Sequence, residues 1–296
     1  MKIKIVSLLL VLNACICYSQ TPVLPVEQPE AQTENLWFQG ENSWLEGKGE
    51  VLLSPYVSHY YTDTKRDENG NKSDFDNNGY YENYTYKLYF STALISHKLS
   101  LIGTLPYVKS TYSDDYTLDE NSEFGDMELG VTMHLKNMGK YHYLTGSFTT
   151  IIPAYSNDEN PFTGFGKVGT ELRVGISGNS EWMGINDNFH ELSLGVKKFY
   201  DGGPLQFKLY GTQGYRITEK FVVLGSLEVL LSRGDDFTVS QDNIQVTTDF
   251  DYIKATLNLG YEFNPRFALY AGGFTDLYDR NVSIGRGWQI FSVIKL

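Results

Sequence analysis

Residues 127–135 read Met-Glu-Leu-Gly-Val-Thr-Met-His-Leu, with Met127, Leu129, Val131, Met133 and Leu135 large and apolar. The residues between them, Glu128, Gly130, Thr132 and His134, are polar or small. A period of two defines a β-strand with one apolar and one polar face. The pattern recurs: Val168, Thr170, Leu172, Val174 and Ile176 alternate with Gly169, Glu171, Arg173, Gly175 and Ser177. Ile253, Ala255, Leu257, Leu259 and Tyr261 alternate with Lys254, Thr256, Asn258 and Gly260. One such strand suits a soluble sandwich as well as a membrane barrel. The length of the strands and a secretory signal before them favour the barrel, whose outer face meets lipid and whose lumen carries the charges.

The first 19 residues read as that signal. Lys2 and Lys4 supply the positive start, Ile5 to Leu12 the apolar core, and Cys17 and Ser19 the small residues before a cut that leaves Gln20 first. The apolar run is too short to span a bilayer as a helix. Leu12-Asn13-Ala14-Cys15 approaches a lipoprotein box, which Asn13 fits poorly. Both cysteines fall inside the signal, so the mature chain has neither disulfides nor thiolate chemistry. Removing the signal's two lysines leaves 22 basic against 36 acidic residues, a net charge of −14. Such a balance argues against nucleic acid as a partner. No later run approaches the ~20 apolar residues of a helical span, so the chain enters a membrane as a barrel or not at all. The 22 Tyr and 17 Phe suit the aromatic girdles of such a barrel.

Residues 20–43 form a linker in which Pro22, Pro25 and Pro29 stand among Glu and Gln. Glu34 to Gly40 resembles an engineered protease-cleavage tag, with Trp37 where such a tag has Tyr, and is read as native. Trp37, Phe38 and Trp44 are its apolar anchors and candidates for a plug in the lumen. Residues 44–296 form the barrel, an all-β transmembrane antiparallel structure of about 12 strands. The strands are expected near 49–62, 81–94, 98–112, 125–136, 140–153, 167–177, 188–199, 205–216, 220–233, 250–262, 266–276 and 284–296. Long polar connections at 63–80, 113–124, 154–166, 234–249 and 277–283 alternate with short ones at 95–98, 217–220 and 264–266, as outer loops alternate with periplasmic turns. Two connections break the rule: 178–187 should be short and 201–204 long. Pro55, in the first strand, omits one ladder hydrogen bond at the seam with the last.

Lys87, Glu128, His134, Glu171, Arg173, Lys208 and Lys254 fall on inward positions. They line a pathway selective for polar or anionic solutes, or form ion pairs that close a narrow barrel. Asp74-Phe75-Asp76-Asn77-Asn78-Gly79 has the head of a calcium loop, but position twelve is Thr85 where a Glu should close it. A solvated Asn- and Gly-rich turn explains it as well, and no metal or cofactor is expected. No His is followed two residues later by Ser, His190 and Ser193 fall on opposite strand faces, and Gly-x-Ser-x-Gly is absent, so an enzyme is not expected.

Three stretches carry a family likeness: Trp44-Leu45-Glu46-Gly47-Lys48-Gly49-Glu50 before a strand, Lys98 to Val108, and Phe124-Gly125-Asp126-Met127-Glu128-Leu129-Gly130. In this order they resemble the outer-membrane barrels named for the meta-pathway of phenol degradation, distant relatives of the fatty-acid transporter barrels. The opening Trp…Gly-Lys-Gly is also similar to small barrels of adhesive-exopolysaccharide gene clusters. The resemblance covers most of residues 44–296. It implies a Gram-negative outer-membrane barrel, with membrane lipid and the barrel-assembly machinery as partners. It also implies passage of a small solute of hydrophobic or aromatic character. The alternative is a non-conducting barrel serving exopolysaccharide export or adhesion.

Overall fold

The structure is a computed structural model that describes residues 45–139, 142–182, 185–234, 239–240 and 245–296. The signal, the linker, and the plug candidates Trp37, Phe38 and Trp44 lie outside the described residues.

Twelve strands build the wall: β1 (Val51–Arg66), β2 (Tyr80–Ile95), β3 (Leu99–Ser113), β4 (Asp126–Asn137), β5 (His142–Pro153) and β6 (Gly169–Trp182). Then follow β7 (Ile185–Phe199), β8 (Leu205–Arg216), β9 (Phe221–Arg233), β10 (Phe250–Asn264), β11 (Phe267–Arg280) and β12 (Val282–Lys295). Each pairs antiparallel with its neighbours in sequence, and β12 pairs back onto β1 from Leu52↔Lys295 to Arg66↔Val282, which closes the barrel. Closure leaves no open strand edge, which hydrocarbon would penalise.

The alternation read from the sequence sorts the faces. Leu129 is 49% exposed, Leu172 64% and Leu257 62%, all on the outer surface. Their neighbours Thr132, Glu171 and Asn258 are buried on the inner one. An exposed apolar band of this kind is the surface that lipid covers. Phe221, Tyr261, Phe263 and Phe267 pack edge to face or stacked at one end of it, with centroids 4.8–5.1 Å apart. They form part of an aromatic girdle.

Both ends of the described chain lie at that same end, where Leu296 N–H donates to the Val51 carbonyl at 2.8 Å. The opposite end holds the long connections. One of them folds back as a short strand, Leu118–Phe124, which pairs with the upper part of β3 before Gly125 leads into β4. The anomalous connection 178–187 is largely strand, because β6 and β7 run on and pair through Trp182↔Ile185. Its Gly, Asn and Ser content mimics a loop. Residues 201–204 stay short for a local reason. Asp201 and Gly202 both have positive φ (51° and 84°), and Gly203 N–H reaches the Tyr200 carbonyl at 3.1 Å. Asp-Gly in this conformation makes a two-residue hairpin turn whose twist matches the strands. The long loop expected at 277–283 is absent. β11 continues to Arg280 and β12 starts at Val282, with only Asn281, at φ 56°, between them. The acidic residue of this stretch, Asp279, is buried in the wall, and nearby Gly285 N–H donates to Asp276 Oδ2 at 2.9 Å.

The seam shows how Pro55 is accommodated. The register sets Pro55 opposite Ser292, and position 55 has no N–H to offer. Ser54, fully buried, donates its hydroxyl to the Ser292 carbonyl at 2.6 Å instead. Ser54→Ala is expected to cost about 1–3 kcal/mol by orphaning that carbonyl. Ser54→Thr should recover most of it in a urea folding titration. Equal midpoints for wild type and Ser54→Ala would remove the hydroxyl from the seam.

Candidate functional site

Contacts between strands that are not neighbours identify the lumen, because only the concave face brings them together. Lys197 on β7 reaches Glu128 on β4 at 3.1 Å and Glu171 on β6 at 3.5 Å. Arg173 holds Glu171 through Nε at 3.1 Å and Nη2 at 2.8 Å, and the Glu171 side chain is 3% exposed. Arg216 on β8 reaches across β9 to Glu262 on β10 with two bonds of 2.6 and 2.9 Å. Tyr60 on β1 spans β12 to reach Asp276 on β11 at 3.4 Å. Buried charges are tolerable in this form because each is paired and hydrogen-bonded.

Most of the inward candidates gather in one belt. Glu128, Glu171 and Arg173 share the Lys197 cluster, and Lys208 pairs with Glu228 at 2.9 Å. Lys87 lies 4.6 Å from the Tyr56 ring centroid. Lys254 lies 5.1 Å from that of Tyr252 and 5.3 Å from that of Phe274. Ammonium groups over ring faces gain from the ring quadrupole. His134 stands apart, at the end where Leu45 and Leu296 lie, with its ring 6.2 Å from that of Tyr143. Lys197 and Glu228, absent from the sequence-based set, complete these pairs. Lys197 was legible, since Leu194 and Val196 fix the outward parity of β7.

Below the belt, toward the terminal end, the lumen has two unlike walls. On β7, β9, β11 and β12, Phe189, Val222, Leu224, Ala268, Tyr270, Phe291 and Val293 form a buried apolar cluster, against which Leu52 and Tyr56 of β1 pack. Tyr270 stacks on Phe291 with centroids 4.8 Å apart. Offset stacked rings add to the stabilisation from area alone. On β2–β6 most of the buried inner positions bear hydroxyls, Ser91, Ser100, Thr132, Thr145, Ser147, Thr149 and Ser177, with Ile102 and Ile151 as apolar exceptions. Beside the apolar cluster Gln289 on β12 donates to Asn258 on β10 at 3.0 Å and accepts from the Tyr56 hydroxyl at 3.1 Å. The apolar wall departs from the polar inner face expected of every strand. Its signal is loss of alternation: Val222-Val223-Leu224 is apolar on both faces.

Other features lead away from a site. His190 pairs in register with outward positions while Ser193 is buried inside, so they do not form a nucleophile and base. In the loop resembling a calcium site, Asp76 lies 3.7 Å from Lys65, and Asn78 donates to Asp115 at 2.9 Å. Among the described residues no group of three His, Cys, Asp or Glu is placed to hold a metal. A groove of about 720 Å³ opens between β10, β11, β12 and β1, lined by His59, Leu257, Arg286 and Trp288 among others. It belongs to the outer wall rather than to the lumen.

No protein-family model matches this chain, and no curated protein does. Solved structures do. The chain is similar to the COG4313 outer membrane channel from Pseudomonas putida F1, with a TM-score of 0.70 at 14% identity. That match covers 88% of this chain and 100% of the other. The NanC porin aligns at TM-score 0.49 and 12% identity over 82% of this chain and 100% of its own. The translocator domain of the autotransporter NalP from Neisseria meningitidis aligns at 0.48 and 13% over 84% and 90%. At these identities the likeness to the channel establishes the fold, that of an outer-membrane β-barrel.

Proposed function

We propose that this barrel sits in the outer membrane of a Gram-negative bacterium and passes a small solute of hydrophobic or aromatic character through its lumen. The observation that carries this reading is the two-walled lower lumen. A purely polar pore needs no Tyr270–Phe291–Leu224–Val222 surface inside it. A solute with an apolar face gains by leaving water for that wall, at roughly 25 cal/mol per Å² of its own apolar area. The resemblance of residues 44–50, 98–108 and 124–130 to the meta-pathway barrels points the same way. Proteoliposomes carrying the purified barrel should swell faster in an isosmotic aromatic solute such as benzyl alcohol than protein-free liposomes do, and show a smaller excess for a hexose. A hexose excess that equals or exceeds the aromatic one would sink the apolar preference.

The second reading, a non-conducting envelope-biogenesis barrel, draws on the inner-face pairs between strands that are not neighbours, since Lys197–Glu128 and Arg216–Glu262 rivet strands together. Both readings leave this protein without a catalytic role. In the first, the linker's Trp37, Phe38 and Trp44 act as a plug, since buried Trp rings displace water from a passage.

A further inference from the structure

Near the terminal end the hydroxyl-bearing wall contains buried polar atoms without a hydrogen-bond partner among the described residues. Glu46 belongs to the short segment before β1, held under the β2–β3 turn by a bond from His97 N–H to its carbonyl at 2.9 Å. Its side chain is buried, and Oε2 has no hydrogen-bond partner. The hydroxyls of Ser100 and Ser177, both fully buried, are in the same condition, and the buried Tyr89 hydroxyl has only the Ser91 hydroxyl beside it. Buried oxygens left in this state lose their hydration with nothing to replace it, which destabilises the fold. A native fold retains several of them together only where something else supplies the donors.

The surroundings define what that is. Ser177 lies in register between Tyr143 and Glu191. Glu46 and Glu191 both act electrostatically on Tyr89 and on Tyr143, so the two carboxylates and the two phenols share one region. Arg173, also near Tyr89, already holds Glu171. Lys295 is the cation that faces Glu46, and it faces Glu50 as well. Every orphan is an oxygen able to accept, the nearby formal charge is predominantly negative, and two aromatic rings stand beside it. An anion would meet Glu46 and Glu191. A cation bearing N–H groups would donate to the orphan oxygens and lie against the rings.

We propose that the terminal end of the lumen, around Glu46, Tyr89, Tyr143, Ser177 and Glu191, is a binding site for a small organic ammonium ion. The site lies below the ion-pair belt and is distinct from the apolar wall assigned to the solute.

Methylammonium is the probe. The full-length barrel, purified in detergent, should show a thermal midpoint that rises and saturates with methylammonium chloride, measured against sodium chloride at equal ionic strength. Glu46→Gln removes the charge that strengthens one such bond and should raise the half-saturating concentration about tenfold. Heat-modifiable migration in detergent gels reports whether that variant still folds. If it does not, Ser177→Ala, a smaller change, should weaken binding in the same direction. Equal midpoints in the two salts would mean that ordered water alone fills the site and would overturn the proposal. Equal saturable shifts with tetramethylammonium, which has no N–H, would overturn it too. Because the readout is binding, a barrel that binds methylammonium yet passes no solute would refute the passage and leave this site standing.

Discussion

Replacing Leu172 with Arg is expected to lower the folding stability of the barrel in lipid by about 2–4 kcal/mol if the site lies near the bilayer midplane. Leu172 projects from β6 on the outer face and is 64% exposed, between Phe148 of β5 and Val196 of β7 in register. In hydrocarbon an arginine there has no partner, and it keeps its hydration only by reaching toward an interface. Leu172→Phe is the control, since it retains apolar area at the same place. Reversible urea titration into liposomes of matched thickness measures both. Coincident midpoints would mean that this face does not meet lipid, and the division into outer and inner surfaces would fall with it.

A loss of the same sign but opposite cause, a charge removed from the inner face, is expected one residue earlier. Glu171 is 3% exposed and receives both Arg173 and Lys197, so Glu171→Ala leaves two cations facing each other inside the barrel. Breaking a buried pair by removing one partner costs about 3–5 kcal/mol, most of it the uncompensated charge. Removing Arg173 as well should therefore recover part of the loss, and a double-mutant cycle separates that coupling from the change in packing. Independent, additive effects of Glu171→Ala and Arg173→Ala would contradict the shared cluster. Lys197 ties the same cluster to Glu128 on β4, so the loss should appear as a cooperative shift of the whole barrel and not as local fraying.

These two positions show what the sequence made legible. A period of two assigns Glu171 inward and Leu172 outward without any knowledge of neighbours, because adjacent strand residues must face opposite sides. Twelve strands and the closing of the last on the first follow from the same pattern. What the pattern cannot supply is pairing across the lumen. Glu128 and Lys197 are 69 residues apart and meet only because the wall curves. Polar residues in the wall also misled the reading of loops. Asp279 and Arg280 look like a connection, yet Arg280 holds Asp249 at 2.7 Å and Asp251 at 2.8 Å, which lets β11 run to its end. Hydrophobic content misled it in the other direction, since Phe291 and Val293 line the inside where alternation promises polar groups.

The central claim is that the lumen conducts, and single-channel recording in planar lipid bilayers tests it most directly. The purified barrel should insert to give steady, uniform conductance steps in potassium chloride. With residues 21–43 deleted, the steps should grow while heat-modifiable migration stays that of a folded barrel, as removal of a plug requires. Folded, inserted protein that gives no steps, with and without residues 21–43, would contradict passage and leave a structural barrel riveted shut by its own ion pairs.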